Sequence, residues 1–488
     1  MHGVPQSYDD WEALGNPGWN WQNLRPYFEK VESFRPTPGG HTTQQEAYNQ
    51  SSHGTSGPVA TTIANDMNET VPLWNTTWNN LGVPTVLPEE STVGTQYHKS
   101  SISSYTGKRS SSLTSYYLPN AGRPNLCLLP QAQVSRIILT ASPGSSDMIA
   151  TGVEFQVEGK RYECSVKREV ILSAGTIHSP AILERSGVGN PQVLEKLGIP
   201  SLVYNSGVGE NLQDHPLSVL VYAVTDDKYA RDNLLNFPDI GRAAEVEYAK
   251  QGTGLFASQI NVAAFISLAQ VTEKLPEKLK YIREKSGLAK QYQIQLAHLH
   301  DDKVPIYQFF PGSSLEMSIM MGALAVPGVS YIPLVITMAS PFSRGSVHIN
   351  SSSAEQQPVI DPHYLEHPLD LAILAAGVQY SAKWAATAPM SAALGDTILP
   401  QKLPATDSEF ENHVRQTVTT IYHSAGTCAM LPHEDGGVVD SNLIVYGTAN
   451  LRVVDASIIP LLPSGNIQWT VYAIAERAAD LIRASYSK

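Results

Sequence analysis

Two residues near the end of the chain are the strongest candidates for chemistry. His423 sits in Tyr422-His423-Ser424-Ala425-Gly426-Thr427-Cys428, and Asn466 ends Pro463-Ser464-Gly465-Asn466. Small residues after a histidine let backbone pack close beside the ring, and a neutral imidazole is the side chain best suited to take a proton near neutral pH. A helix is predicted over about 467–485, so Asn466 falls at its start. Free N–H groups there carry roughly half a positive charge and would stabilise negative charge. Each residue also has a plainer account, His423 as a satisfied core histidine and Asn466 as the helix N-cap. The two accounts of Asn466 are compatible.

The polar run Gly209-Glu210-Asn211-Leu212-Gln213-Asp214-His215 offers another Asp/His combination. Adjacent residues on one loop seldom point at a common atom, so this run is expected to be a structural crossover between domains. Gly187-Val188-Gly189, Gly207-Val208-Gly209 and Gly252-Thr253-Gly254 each begin like a GxGxxG phosphate loop. None combines a small sixth residue with a preceding strand and a following helix, so all three are expected to be turns. Cys127, Cys164 and Cys428 lack CxxC spacing and form no metal or redox motif. They are expected to be small buried apolar residues, and no metal site is expected.

A chain of 488 residues exceeds the usual size of one core, so two domains must hold these residues in place. Asn20 is placed to cap a helix over about 21–33, with Leu24, Tyr27, Phe28 and Val31 on one face. Residues 35–60 read as a loop by their Gly, Pro and polar content, and an amphipathic segment follows at about 68–81. Four β-rich runs at 126–129, 134–139, 150–155 and 170–172 are bounded by turn formers. Ser173-Ala174-Gly175-Thr176 then leads into a helix through Pro180 and Arg185. Strand, small-residue turn and helix is how a doubly wound α/β sheet approaches a nucleotide. From about 217 to 419, strands such as 330–338 and 345–349 mix with helices such as 369–385, an α+β domain inserted between pieces of the first.

In their order these pieces resemble the glucose–methanol–choline (GMC) family of FAD-dependent alcohol oxidoreductases. Residues 167–180, continuing to Ser186-Gly187-Val188-Gly189, look like the family's second signature. Residues 209–215, 423–428 and 451–476 match family blocks in the family's order, and 8–21 and Arg109-Ser110-Ser111-Ser112 look like family segments. The resemblance covers nearly the whole chain, and the joint order is more specific than any single motif.

The resemblance implies an α/β plus α+β fold. An FAD-binding Rossmann-like domain, N-terminally incomplete, would take 1–34, 125–216 and 420–488. An inserted mixed-sheet substrate domain would take 35–124 and 217–419. The implied activity is that of an alcohol oxidase or dehydrogenase acting on CH–OH, with a small-molecule alcohol as substrate. His423 would take the hydroxyl proton, the substrate carbon would pass hydride to flavin N5, and Asn466 would steady the alkoxide. Asp455 and Ala456 would lie against the FAD ribityl and pyrophosphate, and Ile467 would offer backbone to the flavin carbonyl. Val134 would meet adenine through its backbone, with Ala174 and Gly175 nearby.

Two family features have no counterpart in this sequence, the strand–GxGxxG–helix unit that seats the ADP half of FAD and a Gly-rich flavin-contacting signature. Three expectations stand side by side. The chain is part of a longer protein, or it works with a separate N-terminal polypeptide, or it has left FAD behind and binds, cyclises or isomerises a small molecule without redox chemistry.

Composition narrows the partners. Hydrophobic content of 42% and charged content of 16% describe an ordinary folded chain. A net charge of -12 disfavours nucleic acid and anionic membrane, and no apolar stretch nears the roughly 20 residues that span a bilayer. The first residues have neither the basic start nor the apolar core of a signal peptide. Sequons at Asn49, Asn68, Asn75 and Asn350 arise about as often as chance gives in a Ser- and Thr-rich chain, so the compartment stays open.

Overall fold

The aromatic opening of the chain folds onto its far end. The computed structural model describes residues 3–36, 52–63, 69–88, 91–230, 233–257, 262–272, 288–312 and 328–487. Tyr8, Trp11 and Trp19 are fully buried, and each places its polar tip on a partner, as buried Tyr and Trp require. The Tyr8 hydroxyl lies 2.9 Å from Thr470 Oγ1, while Trp11 Nε1 donates to Leu461 O at 2.8 Å and Trp19 Nε1 to Ser441 O at 2.9 Å. The helix Trp21–Val31 starts where expected, with Asn20 accepting from the Asn23 N–H. It packs along the C-terminal helix Gln468–Tyr486, and Lys30 pairs with Glu476 at 2.8 Å.

This first core also takes in Ile137, Ile182, Leu183, Met430 and Val453. Its strand–turn–helix unit is as expected: Val170–Leu172 runs parallel to Leu451–Val453 and leads into the helix Gly175–Arg185. Beside it lies an antiparallel meander of Gln133–Ala141, Met148–Val157 and Lys160–Ser165. The third of these strands is not legible in the sequence, because all six of its residues are exposed and no alternation marks it. The run 126–129 is not a strand. Among the described residues no ladder forms beside it, and Leu126, Leu128 and Leu129 are left exposed.

The second core surrounds a seven-stranded sheet. In spatial order its strands are Leu394–Leu399, Pro216–Val224, Tyr331–Met338, Tyr307–Pro311, Val262–Ile266 and Gly94–Tyr97, and Thr419–Thr420 pairs with one end of Pro216–Val224. Expected as mixed, the sheet is antiparallel in every described ladder. The helix Pro368–Ala385 lies against it, and Trp74, Trp78 and Trp384 cluster over the same core. We propose that these two cores are the two domains expected from the sequence.

Several smaller expectations resolve here. The helix expected at 68–81 is Thr70–Asn80, whereas residues 37–51 of the expected loop, and Asn49 and Asn68, lie outside the described residues. The end of that loop forms a strand, Val59–Thr61, parallel to Glu32–Phe34. Asn75 is buried with its amide on the Tyr97 hydroxyl, and Asn350 is exposed. Only Cys428 is buried; Cys127 and Cys164 are exposed, because among the described residues nothing packs over the segments that carry them.

The run 209–215 threads between two parts of the chain. On one side Val347 N–H donates to Gly209 O at 2.7 Å, and Leu212 and Gly345 exchange backbone hydrogen bonds. On the other, Gly209 N–H donates to Thr427 O at 2.9 Å. Gly209 has φ +83°, and a Cβ there would stand 2.3 Å from Val347 O. Gly209→Ala is therefore expected to destabilise the protein by about 1–3 kcal/mol through forced left-handed backbone and the clash. The urea midpoint measures this, and an unchanged midpoint would show that the crossing is loose.

Candidate active site

The approach to His423 is a tight turn. Thr419–Thr420 ends its pairing with Pro216 and Leu217, and Tyr422 adopts φ +64° with its N–H on Thr420 Oγ1 at 2.7 Å. Tyr422 is 71% exposed, and the next residue, His423, points inward at 9%. Such strained backbone persists only where its surroundings hold it.

Those surroundings are hydrogen bonds from three directions. His423 N–H donates to Asp214 Oδ1 at 3.0 Å, and the other oxygen of Asp214 accepts from the Tyr364 hydroxyl at 2.5 Å. Ser424 O accepts from Thr176 Oγ1 at 2.8 Å, which ties the turn to the helix Gly175–Arg185. Gln213 and Ala425 exchange backbone bonds at 2.9 and 2.8 Å. Behind them Asn211 joins Gly426 O to the Arg344 guanidinium. Arg344 also donates to Pro341 O, Ser343 O, Gln291 and Gln295, and burial lowers its pKa to about 10.

The imidazole itself makes two contacts. Its Nδ1 lies 3.0 Å from His215 Nδ1, and its Nε2 lies 3.2 Å from Asn466 Nδ2. The two sequence candidates thus meet. Asn466 is not the helix N-cap, however. Ile467 holds that position, with no side-chain cap, because the Asn466 amide is turned to His423 instead. Asn466 Oδ1 is buried without a partner among the described residues.

Asp214 and His215 also belong to this site, against the expectation that 209–215 serves only as a crossover. Adjacent residues reach one histidine here because they meet different parts of it, Asp214 the backbone and His215 the ring. Burial lowers His423 to about 3, with the nearby His215 adding to the effect and Asp214 opposing it. Burial likewise lowers His215 to about 4, opposed by the backbone carbonyls of Ala339 and Pro463. Both rings are neutral at pH 7.

A second group of candidates gathers at the start of the helix Gly175–Arg185. Asp455 accepts four hydrogen bonds, from Gly175 N, Ser179 Oγ, Ser457 N and Ser457 Oγ, at 2.9, 2.6, 2.8 and 2.5 Å. Its carboxylate is committed to tying the helix start to the end of Leu451–Val453. Any ligand contact there falls to backbone or to Ala456. Ala174 N donates to Ser179 Oγ at 3.1 Å, and Gly175 has φ +80° with nothing within 4 Å of where a Cβ would stand. Val134 is apart from both groups, on the first meander strand opposite Phe155. That strand is pinned to the same helix through Arg185 Nε to Ser135 O and Ile137 N to Ser186 Oγ. A cavity of about 720 Å³ near Trp21, His98, Lys99 and Trp469 reaches Ser464, but neither His423 nor Asn466 lines it.

The whole chain superposes on FAD-dependent oxidoreductases, which sets its class. It aligns with one from Chaetomium thermophilum at a TM-score of 0.89 and 26% identity, covering 100% of this chain and 84% of that one. It aligns with a fungal aryl-alcohol oxidase at 0.86 and 26%, with the same coverage. In sequence it is 32% identical to Dehydrogenase mpl7 of Monascus purpureus over 512 residues, 98% of this chain and 80% of that protein. Residues 1–217 and 341–475 match the GMC oxidoreductase family, and the chain belongs to it.

FAD is the expected cofactor, and the residues present fit it at two places. Asn466 Oδ1 is a buried acceptor with no partner among the described residues, beside a neutral imidazole. Open space stands over the positive-φ Gly175, at the helix that follows a parallel strand.

Proposed function

We propose that this chain oxidises a small-molecule alcohol with FAD, using His423 as the base. The observation that carries the reading is a buried, neutral His423 whose Nε2 faces the Asn466 amide at 3.2 Å. The aryl-alcohol oxidase among its structural neighbours supports an alcohol as substrate. Val134, Ala174, Gly175, Asp455, Ala456 and Ile467 would hold FAD, which when bound supplies the acceptor for hydride from the alcohol carbon. His423 Nε2 takes the hydroxyl proton. Asn466 Nδ2–H donates to the same oxygen as negative charge grows on it. The start of the helix Gln468–Tyr486 adds its dipole on that side.

The test is anaerobic mixing of the FAD-loaded protein with a panel of primary alcohols. Bleaching of the flavin absorbance, slowed by deuterium at the carbinol carbon, is expected. If no alcohol bleaches it, the reading fails.

Two further results are expected from the same assay. Asn466→Ala should lower turnover by about 10²-fold, the usual worth of one donor to a developing oxyanion. A base must be neutral to act, so activity is lost as pH falls through the pKa of His423. With that value held near 3, the acid limb should lie far below the ordinary 6.5, leaving turnover flat from pH 5 to 8 on this account. A limb at 6.5 would mean that the ring is solvated during turnover.

A further inference from the structure

We infer that His215 is a positioning residue that fixes the tautomer of His423, holding its hydrogen on Nδ1 and leaving the Nε2 lone pair toward Asn466. This rests on His423 being the base. A base needs a third group to orient it, and that group is commonly a carboxylate. Here the neighbouring carboxylate has another task, because Asp214 faces the His423 main-chain N–H and the Tyr364 hydroxyl. The ring is left to His215, with the two Nδ1 atoms 3.0 Å apart and the ring planes at 86°.

Two neutral rings that meet Nδ1 to Nδ1 share one hydrogen, so one must donate and the other accept. The surroundings of His215 decide which. It is 3% exposed, its Nε2 has no partner at hydrogen-bonding geometry among the described residues, and the backbone carbonyls of Ala339 and Pro463 face the ring. Carbonyls only accept. With Nδ1 occupied by His423, the hydrogen they attract belongs on His215 Nε2, and His215 Nδ1 is then the acceptor. His423 must therefore carry its hydrogen on Nδ1. Its Nε2 is left with a lone pair, which agrees with the Asn466 Nδ2 donor 3.2 Å away. The opposite arrangement would set a lone pair of His215 against two carbonyls and put a hydrogen where the alcohol proton must arrive.

Histidine-selective ¹⁵N labelling of the full chain tests this, with and without FAD. Two-bond proton–nitrogen correlations separate the two tautomers, and His423→Gln identifies the His423 signals by their loss. The wild-type protein should show His423 protonated on Nδ1. In His215→Leu that preference should disappear, and kcat should fall by at least about tenfold with KM nearly unchanged, as expected for a misassigned tautomer. His215→Asn can place its Oδ1 where Nδ1 stood, and should restore both the Nδ1–H signal and most of kcat. A wild-type His423 protonated on Nε2 overturns the inference even if neither variant folds. So does an unchanged tautomer in a folded His215→Leu. If the tautomer is as stated but no alcohol reduces the flavin, the proposed reaction fails and the positioning role stands.

Discussion

His423→Ala in the FAD-loaded protein is expected to lower turnover by about 10²–10⁴-fold, the usual contribution of a positioned general base. The loss should appear in the reductive half-reaction, measured as single-turnover bleaching under anaerobic conditions. FAD content should stay near that of the wild type, because the residues proposed to hold the cofactor make their hydrogen bonds independently of the His423 side chain. Asp455, for example, keeps all four of its partners. Near-normal bleaching by His423→Ala would show that the histidine is a packed core residue and would remove the base from the proposed reaction.

The largest stability effect is expected away from the chemistry, at His348. Glu184 lies on the helix Gly175–Arg185 with no exposed surface, and its carboxylate meets His348 Nδ1 at 2.6 Å and Ile349 N–H at 2.8 Å. Glu210 contacts the other ring nitrogen at 3.2 Å. Removing His348 strands a buried charge, and breaking such pairs costs roughly 3–5 kcal/mol. His348→Ala should fall near the lower end, because the Ile349 N–H still donates. Chemical denaturation at pH 6 reads it directly, and a loss below about 1 kcal/mol would mean that the pair is solvated.

The pH dependence follows from the same contact. Hydrogen bonds to Glu184, then to Glu210, raise His348 from 6.5 to about 9. A group whose folded pKa is raised contributes stability that is fully present below its unfolded value and lost as pH rises through the folded one. Thermal stability should therefore decline between about pH 6.5 and 9, and His348→Ala should remove that part of the slope. A parallel decline in the variant would assign it to other groups.

How much of this was legible in the sequence depends on the kind of signal each residue leaves. His423 and Asn466 could be paired before any coordinates, because the order of family blocks set them together although 43 positions separate them. The strand–turn–helix at Val170–Arg185 could be read because period and turn chemistry agree there. His215 could not. Its adjacency to Asp214 argued against a shared target, and nothing local shows that a second segment will lie alongside and receive both. The Asn466 cap was misplaced by one residue for a related reason, since a tertiary contact to His423 outbid the local one. The strand expected at 126–129 and burial expected for Cys127 and Cys164 failed together, since apolar character says what a segment could bury but not whether anything lies over it.

The anchoring of Tyr8 on Thr470, 462 positions away, has a consequence for how the molecule is made. His215 and His423 are themselves separated by 208 positions. Contacts of such long range form late, after loop-closure entropy has been overcome. During synthesis the segment around Tyr8 and Trp11 must wait until Leu461 and the helix Gln468–Tyr486 have left the ribosome. In refolding, the sheet's own pairings of Val262 with Tyr97 and of Pro216 with Thr420 are of the same long range, and the second of them brings His215 beside His423. Recovery of helix signal should therefore run ahead of recovery of the His423 environment, and competence for catalysis is acquired only as the sheet closes.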